Sequence, residues 1–170
     1  METRGLDTEF ASNTYVETGL DWSLLEAVKS GAASLVILCG NAGDGKTAFL
    51  QRLAEALGRP SLPSSQRVWD GVLHRRQLKV NLDGAASWNG RSADDLLDDL
   101  FAPFHEGPPR EPRAHLVAVN DSRLMEWIEG CEARHGGDPT LLTRQLADAL
   151  SRSGSALDPH IRLIELNQRS

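Results

Sequence analysis

Gly40, Gly45, Lys46 and Thr47 are the residues whose types and spacing point most directly to chemistry. They fall in Leu35-Val36-Ile37-Leu38-Cys39-Gly40-Asn41-Ala42-Gly43-Asp44-Gly45-Lys46-Thr47-Ala48-Phe49-Leu50, and they match the pattern G-x-x-x-x-G-K-[ST]. An apolar run enters a glycine-rich turn, and an amphipathic segment leaves it. Such a turn suits a phosphate. Glycine lets the N–H groups of residues 43 to 47 approach an oxyanion with no Cβ in the way. A helix beginning near Gly45 aims its unpaired N–H groups and its positive dipole end at the same anion. Lys46 adds a full charge beside the outer phosphates, and the Thr47 hydroxyl is of the right type to ligate Mg²⁺. Gly40, Asn41, Ala42, Gly43, Asp44, Gly45, Lys46, Thr47 and Ala48 are therefore the expected cradle for a nucleoside triphosphate.

Turnover of a γ-phosphate needs more: a held Mg²⁺, an oriented water and a group that senses the phosphate. The usual device for the first two is an acid after an apolar run. Val117-Ala118-Val119-Asn120-Asp121 offers Asp121, and Val80-Asn81-Leu82-Asp83 offers Asp83. Each has a plainer reading. Asp83 suits a turn ahead of Gly84, and Asn120-Asp121 suits the cap of a helix opening at Ser122. The group Asp94, Asp95, Asp98 and Asp99 reads as the solvated face of a helix rather than a metal site.

The elements that must position these residues alternate in type. Residues 1–20 are a polar leader, and 21–170 form one nucleotide-binding domain. A helix from Asp21, with that residue as its cap, ends at Gly31. The run 34–39 is a strand buried on both faces, and 46–57 is a helix stopped by Gly58 and Pro60. Residues 67–76 are open between a short hairpin and an irregular insertion. A strand over 77–84 leads to a helix over 92–101 capped by Ser92, then a loop with four prolines. A strand over 115–121 feeds a helix over 122–134 whose inner side is Leu124, Met125, Ile128 and Cys131. Asp138 and Pro139 occupy the cap and first position of another helix, and 161–167 is the last strand. This order predicts a three-layer α-β-α fold with a mainly parallel sheet and right-handed crossovers. Ligands of such sheets sit at the carboxyl ends of the strands, which puts Gly40, Asp83, Asn120, Asp121 and Asn167 on one rim.

Composition sets outer bounds. The chain has 170 residues, 40% hydrophobic and 25% charged, which is ordinary globular usage. Its 18 basic and 24 acidic side chains leave a net charge of -6, so a nucleic-acid-coating surface is not indicated, and contact with nucleic acid would run through a partner. Cys39 and Cys131 have no metal-ligand spacing and read as reduced thiols. No apolar run is long enough to span a bilayer, and no signal-peptide layout opens the chain, so a cytoplasmic location is expected.

The segment Gly40–Thr47, the strand ending in Asn120-Asp121 and the strand ending at Asn167 together resemble the nucleotide-binding core of AAA+ and related STAND-type P-loop ATPases, over roughly residues 20 to 170. The resemblance implies ATP and Mg²⁺ as cofactors, a P-loop NTPase core, and participation in a homo-oligomer or larger ATPase assembly. It implies Lys46, Asp121 and Asn167 as the catalytic set, Asn167 sensing the γ-phosphate, and Thr47 and Asp121 as metal ligands, to which the strand-end reading adds Asp83. In that family the third strand ends in Asp-Glu. Here those places hold Asn120, which is neutral, and Asp121, one methylene shorter than Glu. Three outcomes stay open: slow hydrolysis with Asp121 as acid, an acid supplied by Asp83, or an ATP-bound switch with little turnover. A P-loop kinase acting on a small acceptor is the enzymatic alternative, with Arg75, Arg76 and Arg110 as sources of charge. The family continues into a helical lid, which this sequence is expected to lack.

Overall fold

Leu35–Cys39 forms the central strand β1, and every one of its residues is buried. In the computed structural model, which describes residues 20–40, 45–63, 65–151 and 157–165, helix α1 (Leu20–Ser30) precedes β1 and α2 (Gly45–Ala56) follows it. Next come β2 (Val68–Leu73), β3 (Arg76–Asn81), α3 (Ala93–Phe101) and a short 3-10 turn over Ala102–Phe104. The chain then forms β4 (Arg113–Ala118), α4 (Asp121–Arg134), α5 (Leu141–Ser151) and β5 (Ile161–Glu165). The strands lie in the order β2-β3-β4-β1-β5. β1 runs parallel to β4 and β5, β4 runs parallel to β3, and only β2 is antiparallel, on the edge. The fold is α/β with a mostly parallel five-stranded sheet, compatible with three layers.

β1 is apolar throughout because both its faces are covered. Val36 and Leu38, with Leu78, Val80, Leu116 and Ala118, pack on Leu24, Val28, Phe49, Leu50 and Leu53 of α1 and α2. Leu35, Ile37, Cys39 and Val117 face the other way, onto Leu97, Phe101, Leu124, Trp127, Ile128, Leu142 and Leu146 of α3, α4 and α5. Among the described residues, no helix is long and apolar enough to cross a membrane. Cys39 and Cys131 are both free and buried.

Local chemistry moves several boundaries from where the sequence pattern put them. The ambiguous stretch 67–76 belongs to a hairpin in which Leu73 pairs with Arg76. His74 and Arg75 make its two-residue turn with φ of 53° and 66°, the left-handed pair that such loops demand. β4 stops at Ala118 rather than at Asp121, because Asn120 is already the cap of α4: its Oδ1 accepts from the Arg123 N–H at 2.8 Å. α5 begins at Leu141 rather than at Pro139. Thr140 Oγ1 accepts from the Thr143 N–H at 3.1 Å while Thr143 Oγ1 accepts from the Thr140 N–H at 2.9 Å, a reciprocal cap that displaces Asp138 from that role. α1 already includes Leu20, so Asp21 lies inside its first turn. In α4 the innermost side chain is Trp127, fully buried, with Met125 only at the margin of the core.

The acids of α3 are indeed a helix face, and each of three has a partner. Asp94 pairs with Arg123, Asp98 accepts from Trp127 Nε1 and pairs with Arg134, and Asp99 meets Lys79 and Arg91. Ser92 caps the helix as expected, accepting from the Asp95 N–H at 3.1 Å. The expected leader, apart from Leu20, lies outside the described residues.

Candidate functional site

β1 and β4 are neighbours whose onward connections leave to opposite sides, β1 toward β3 and β4 toward β5. The carboxyl ends of such a strand pair open the crevice in which parallel α/β sheets take ligands. Three strand ends meet here, and each is tied to the first turn of α2 or to Gly40.

Gly40 closes β1 with φ of 130°, a conformation glycine adopts at no steric cost. Its N–H donates to Asp121 Oδ1 at 3.1 Å, and its carbonyl accepts from Lys46 Nζ at 3.0 Å. Asp121 comes from the far side of the crevice, where Asn120 has just capped α4. Lys46 comes from the first turn of α2 and is buried. Thr47, next to it, donates its hydroxyl to the Leu82 carbonyl at 3.5 Å, which links α2 to the turn after β3. Ala48 follows in the same helix. A lysine amine, a hydroxyl, a carboxylate and a helix N-terminus at Gly45 are thus gathered at one end of the sheet. Asn41, Ala42, Gly43 and Asp44 lie outside the described residues, as does Asn167.

Two of the expected rim residues have local duties. Asp83 accepts from the Ala85 N–H at 3.0 Å, and its own N–H donates to Asn81 Oδ1 at 3.0 Å, so it organises the turn after β3. Asn120 spends its amide oxygen on the Arg123 N–H and on the Ser122 hydroxyl at 3.1 Å. The plainer readings of both residues are the ones their hydrogen bonds describe.

The acid that does gather with Asp121 is a different one. Cys39, Asp121 and Glu165 bring one potential ligand atom each within 4.8 Å of one another, and among the described residues theirs is the group of this kind. Sequence reading took Cys39 as a reduced thiol without metal-ligand spacing and did not single out Glu165. Cys39 and Glu165 are register partners across the parallel β1–β5 pair; that pairing is invisible until the strand order is known. The Cys39 thiol is held well above its ordinary pKa, first by burial and then by the negative charges of Asp121 and Glu165, with Lys46 opposing them. It is a protonated S–H that bonds to Asp121, and a poor ligand for a hard cation. The oxygen donors Asp121, Glu165 and Thr47 are of the type that suits Mg²⁺. The oxygen donors present therefore fit a hard cation such as Mg²⁺ better than a thiophilic metal.

Compared with known proteins, the chain matches no family model, no curated protein and no solved structure.

Proposed function

We propose that this chain binds a nucleoside triphosphate, ATP, together with Mg²⁺, in the crevice between the carboxyl ends of β1 and β4, as a P-loop ATPase core of the AAA+/STAND-like group would. One observation carries the reading: Lys46, at the start of α2, and Asp121, at the start of α4, converge on Gly40 from opposite sides. A cation and a helix N-terminus on one side favour the phosphates. A carboxylate and the Thr47 hydroxyl favour the metal. In this reading Lys46 neutralises the outer phosphates, Thr47 and Asp121 hold Mg²⁺ directly or through water, and the bound metal supplies charge neutralisation on the γ-phosphate. Slow hydrolysis would then couple nucleotide state to conformational change or assembly.

The switch with little turnover is favoured by a specific observation of its own. The Asp121 carboxylate already accepts from the Gly40 N–H and is bonded to the Cys39 thiol, and Asn120 is committed to capping α4. An acid so engaged is well placed to hold and poorly placed to orient a water.

Calorimetric titration of Mg²⁺–ATP into wild type, Lys46→Ala and Asp121→Asn, with phosphate release measured in parallel, tests both. Wild-type binding that weakens at least tenfold in Lys46→Ala is expected. Equal affinity in the two proteins sinks the nucleotide reading. Phosphate release that disappears in Asp121→Asn supports turnover, whereas tight binding without release supports the switch.

A further inference from the structure

The opposite end of the sheet holds a cavity of about 380 Å³. Its wall is built where the parallel strands start. Ser34 precedes β1, Arg76 opens β3, Arg113 opens β4 and His160 precedes β5, and Arg110 and Glu111 join them from the proline-rich loop before β4. Three guanidinium groups thus face one carboxylate, an excess of two positive charges with His160 neutral. Glu111, largely exposed, pairs with Arg113 at 3.6 Å, and its charge is already counted in that balance.

The donors here are not used up within the protein. His160 is only 8% exposed, and its Nε2 has no hydrogen-bond partner among the described residues. Arg113 Nε is likewise buried without one. Arg110 is exposed and makes no hydrogen bond or ion pair with a described residue. Arg76 spends one nitrogen on the Val28 carbonyl. Buried polar atoms without partners are uncommon in native proteins, and here two of them, on His160 and Arg113, belong to residues lining one cavity. Guanidinium forks match the oxygen spacing of phosphate. The cavity volume falls in the range of small-molecule sites, about 300–1,000 Å³, and exceeds what a bare oxyanion fills. The prolines of the loop give it an apolar side.

We propose that this cavity binds a small phosphate monoester. Its dianion balances the two excess charges, Arg76, Arg110 and Arg113 take the phosphoryl oxygens, and His160, as its Nε2–H tautomer, donates to one of them. The organic part lies against the prolines. The site stands at the far end of the strands from Gly40, so this assignment does not rest on the ATP reading and is separable from it.

The test uses Lys46→Ala as background, so that binding at the glycine-rich segment is suppressed, and follows the His160 ring resonances by NMR as a local reporter. Phenyl phosphate, inorganic phosphate and benzoate are titrated in turn, with calorimetry for affinity. Phenyl phosphate is expected to shift the His160 signals saturably, with benzoate and inorganic phosphate weaker. Arg110→Ala and Arg113→Gln are each expected to weaken phenyl phosphate by roughly tenfold, the loss of one charge-assisted pair. Arg110 is exposed and unbonded, so its variant keeps the test sound if Arg113→Gln disturbs β4. No shift of the His160 signals up to about 10 mM, far weaker than a specific site, overturns the proposal. So does an affinity unchanged in Arg110→Ala, or inorganic phosphate binding as tightly as the ester.

Discussion

Acid should weaken this fold through His115, over a window set by its burial. His115 sits within β4, fully buried, with Nδ1 2.6 Å from the Leu100 carbonyl and Nε2 3.5 Å from an Arg113 nitrogen. Donating from Nδ1 and accepting at Nε2 requires the neutral ring. Burial is the main force against the imidazolium, the Arg113 and Lys79 charges add to it, and the Leu100 carbonyl partly opposes it; the pKa falls from 6.5 to about 4. Between those values the unfolded chain takes up a proton that the native protein refuses. Stability therefore falls as pH drops from 6.5 toward 4, and this contribution is flat below. A gap of about 2.5 pH units at about 1.36 kcal/mol each amounts to about 3 kcal/mol, a substantial part of the roughly 5–15 kcal/mol that holds a domain together. The assay is urea denaturation, read by tryptophan fluorescence from pH 7 to 4, for wild type and His115→Asn, whose amide can still donate to Leu100. Whatever the starting stability of the variant, its pH profile should be shallower than that of wild type by about 3 kcal/mol across the window. His105 and His160, also lowered chiefly by burial, contribute equally to both proteins and cancel. Asp99, raised by burial but depressed overall by its Lys79 and Arg91 contacts, loses its contribution as pH falls below 3.8, outside the window. Parallel profiles would refute the reasoning.

Other perturbations have definite outcomes. Gly84→Ala puts a Cβ 2.9 Å from Val119 Cβ and 3.3 Å from the Ala118 carbonyl, which the Gly84 N–H already grips at 2.8 Å; a loss of about 1–3 kcal/mol in urea denaturation is expected, and an unchanged midpoint would contradict the packing. Thr140→Ala removes the acceptor for the Thr143 N–H and the partner of His105 Nδ1, costing about 1 kcal/mol and speeding hydrogen exchange at the first turn of α5 more than at α4. Cys39 and Cys131, both buried with thiol pKa values pushed up chiefly by burial, should react with a disulfide reagent only at the rate of unfolding; a thiol that reacts at once in the native protein would overturn that.

Much of the architecture was legible because it is local. The unbroken apolar run of β1 signals burial on both faces, Ser92 signals the start of α3, and Gly58 signals the end of α2; each is decided within one turn or strand. Where the chain solved a local problem with unusual residues, the signal disappeared. A two-residue hairpin turn usually announces itself with Asn-Gly, and His74-Arg75 does not. Asp138-Pro139 resembles a helix start, yet Thr140 and Thr143 make the better cap because each satisfies the other. Trp127 was missed as a core residue since its indole N–H needs a buried-side acceptor, and Asp98 on α3 supplies it from another helix.

The same division runs through the candidate site. By themselves, the types and spacing of Gly40, Gly45, Lys46 and Thr47 point to a turn suited to phosphate, the expectation resting on backbone approach, helix dipole and lysine charge within eight consecutive residues. Asp121 was a candidate from its place after an apolar run. That it reaches Gly40, while Asp83 turns to its own loop and Glu165 comes alongside Cys39, depends on the order β3-β4-β1-β5 and on strand register. Those are properties of contacts between residues far apart in the chain, and no short-range pattern encodes them. The basic cavity at the other end of the sheet is of the same kind: Arg76, Arg113 and His160 are scattered in sequence, and only the parallel stacking of their strands makes them neighbours.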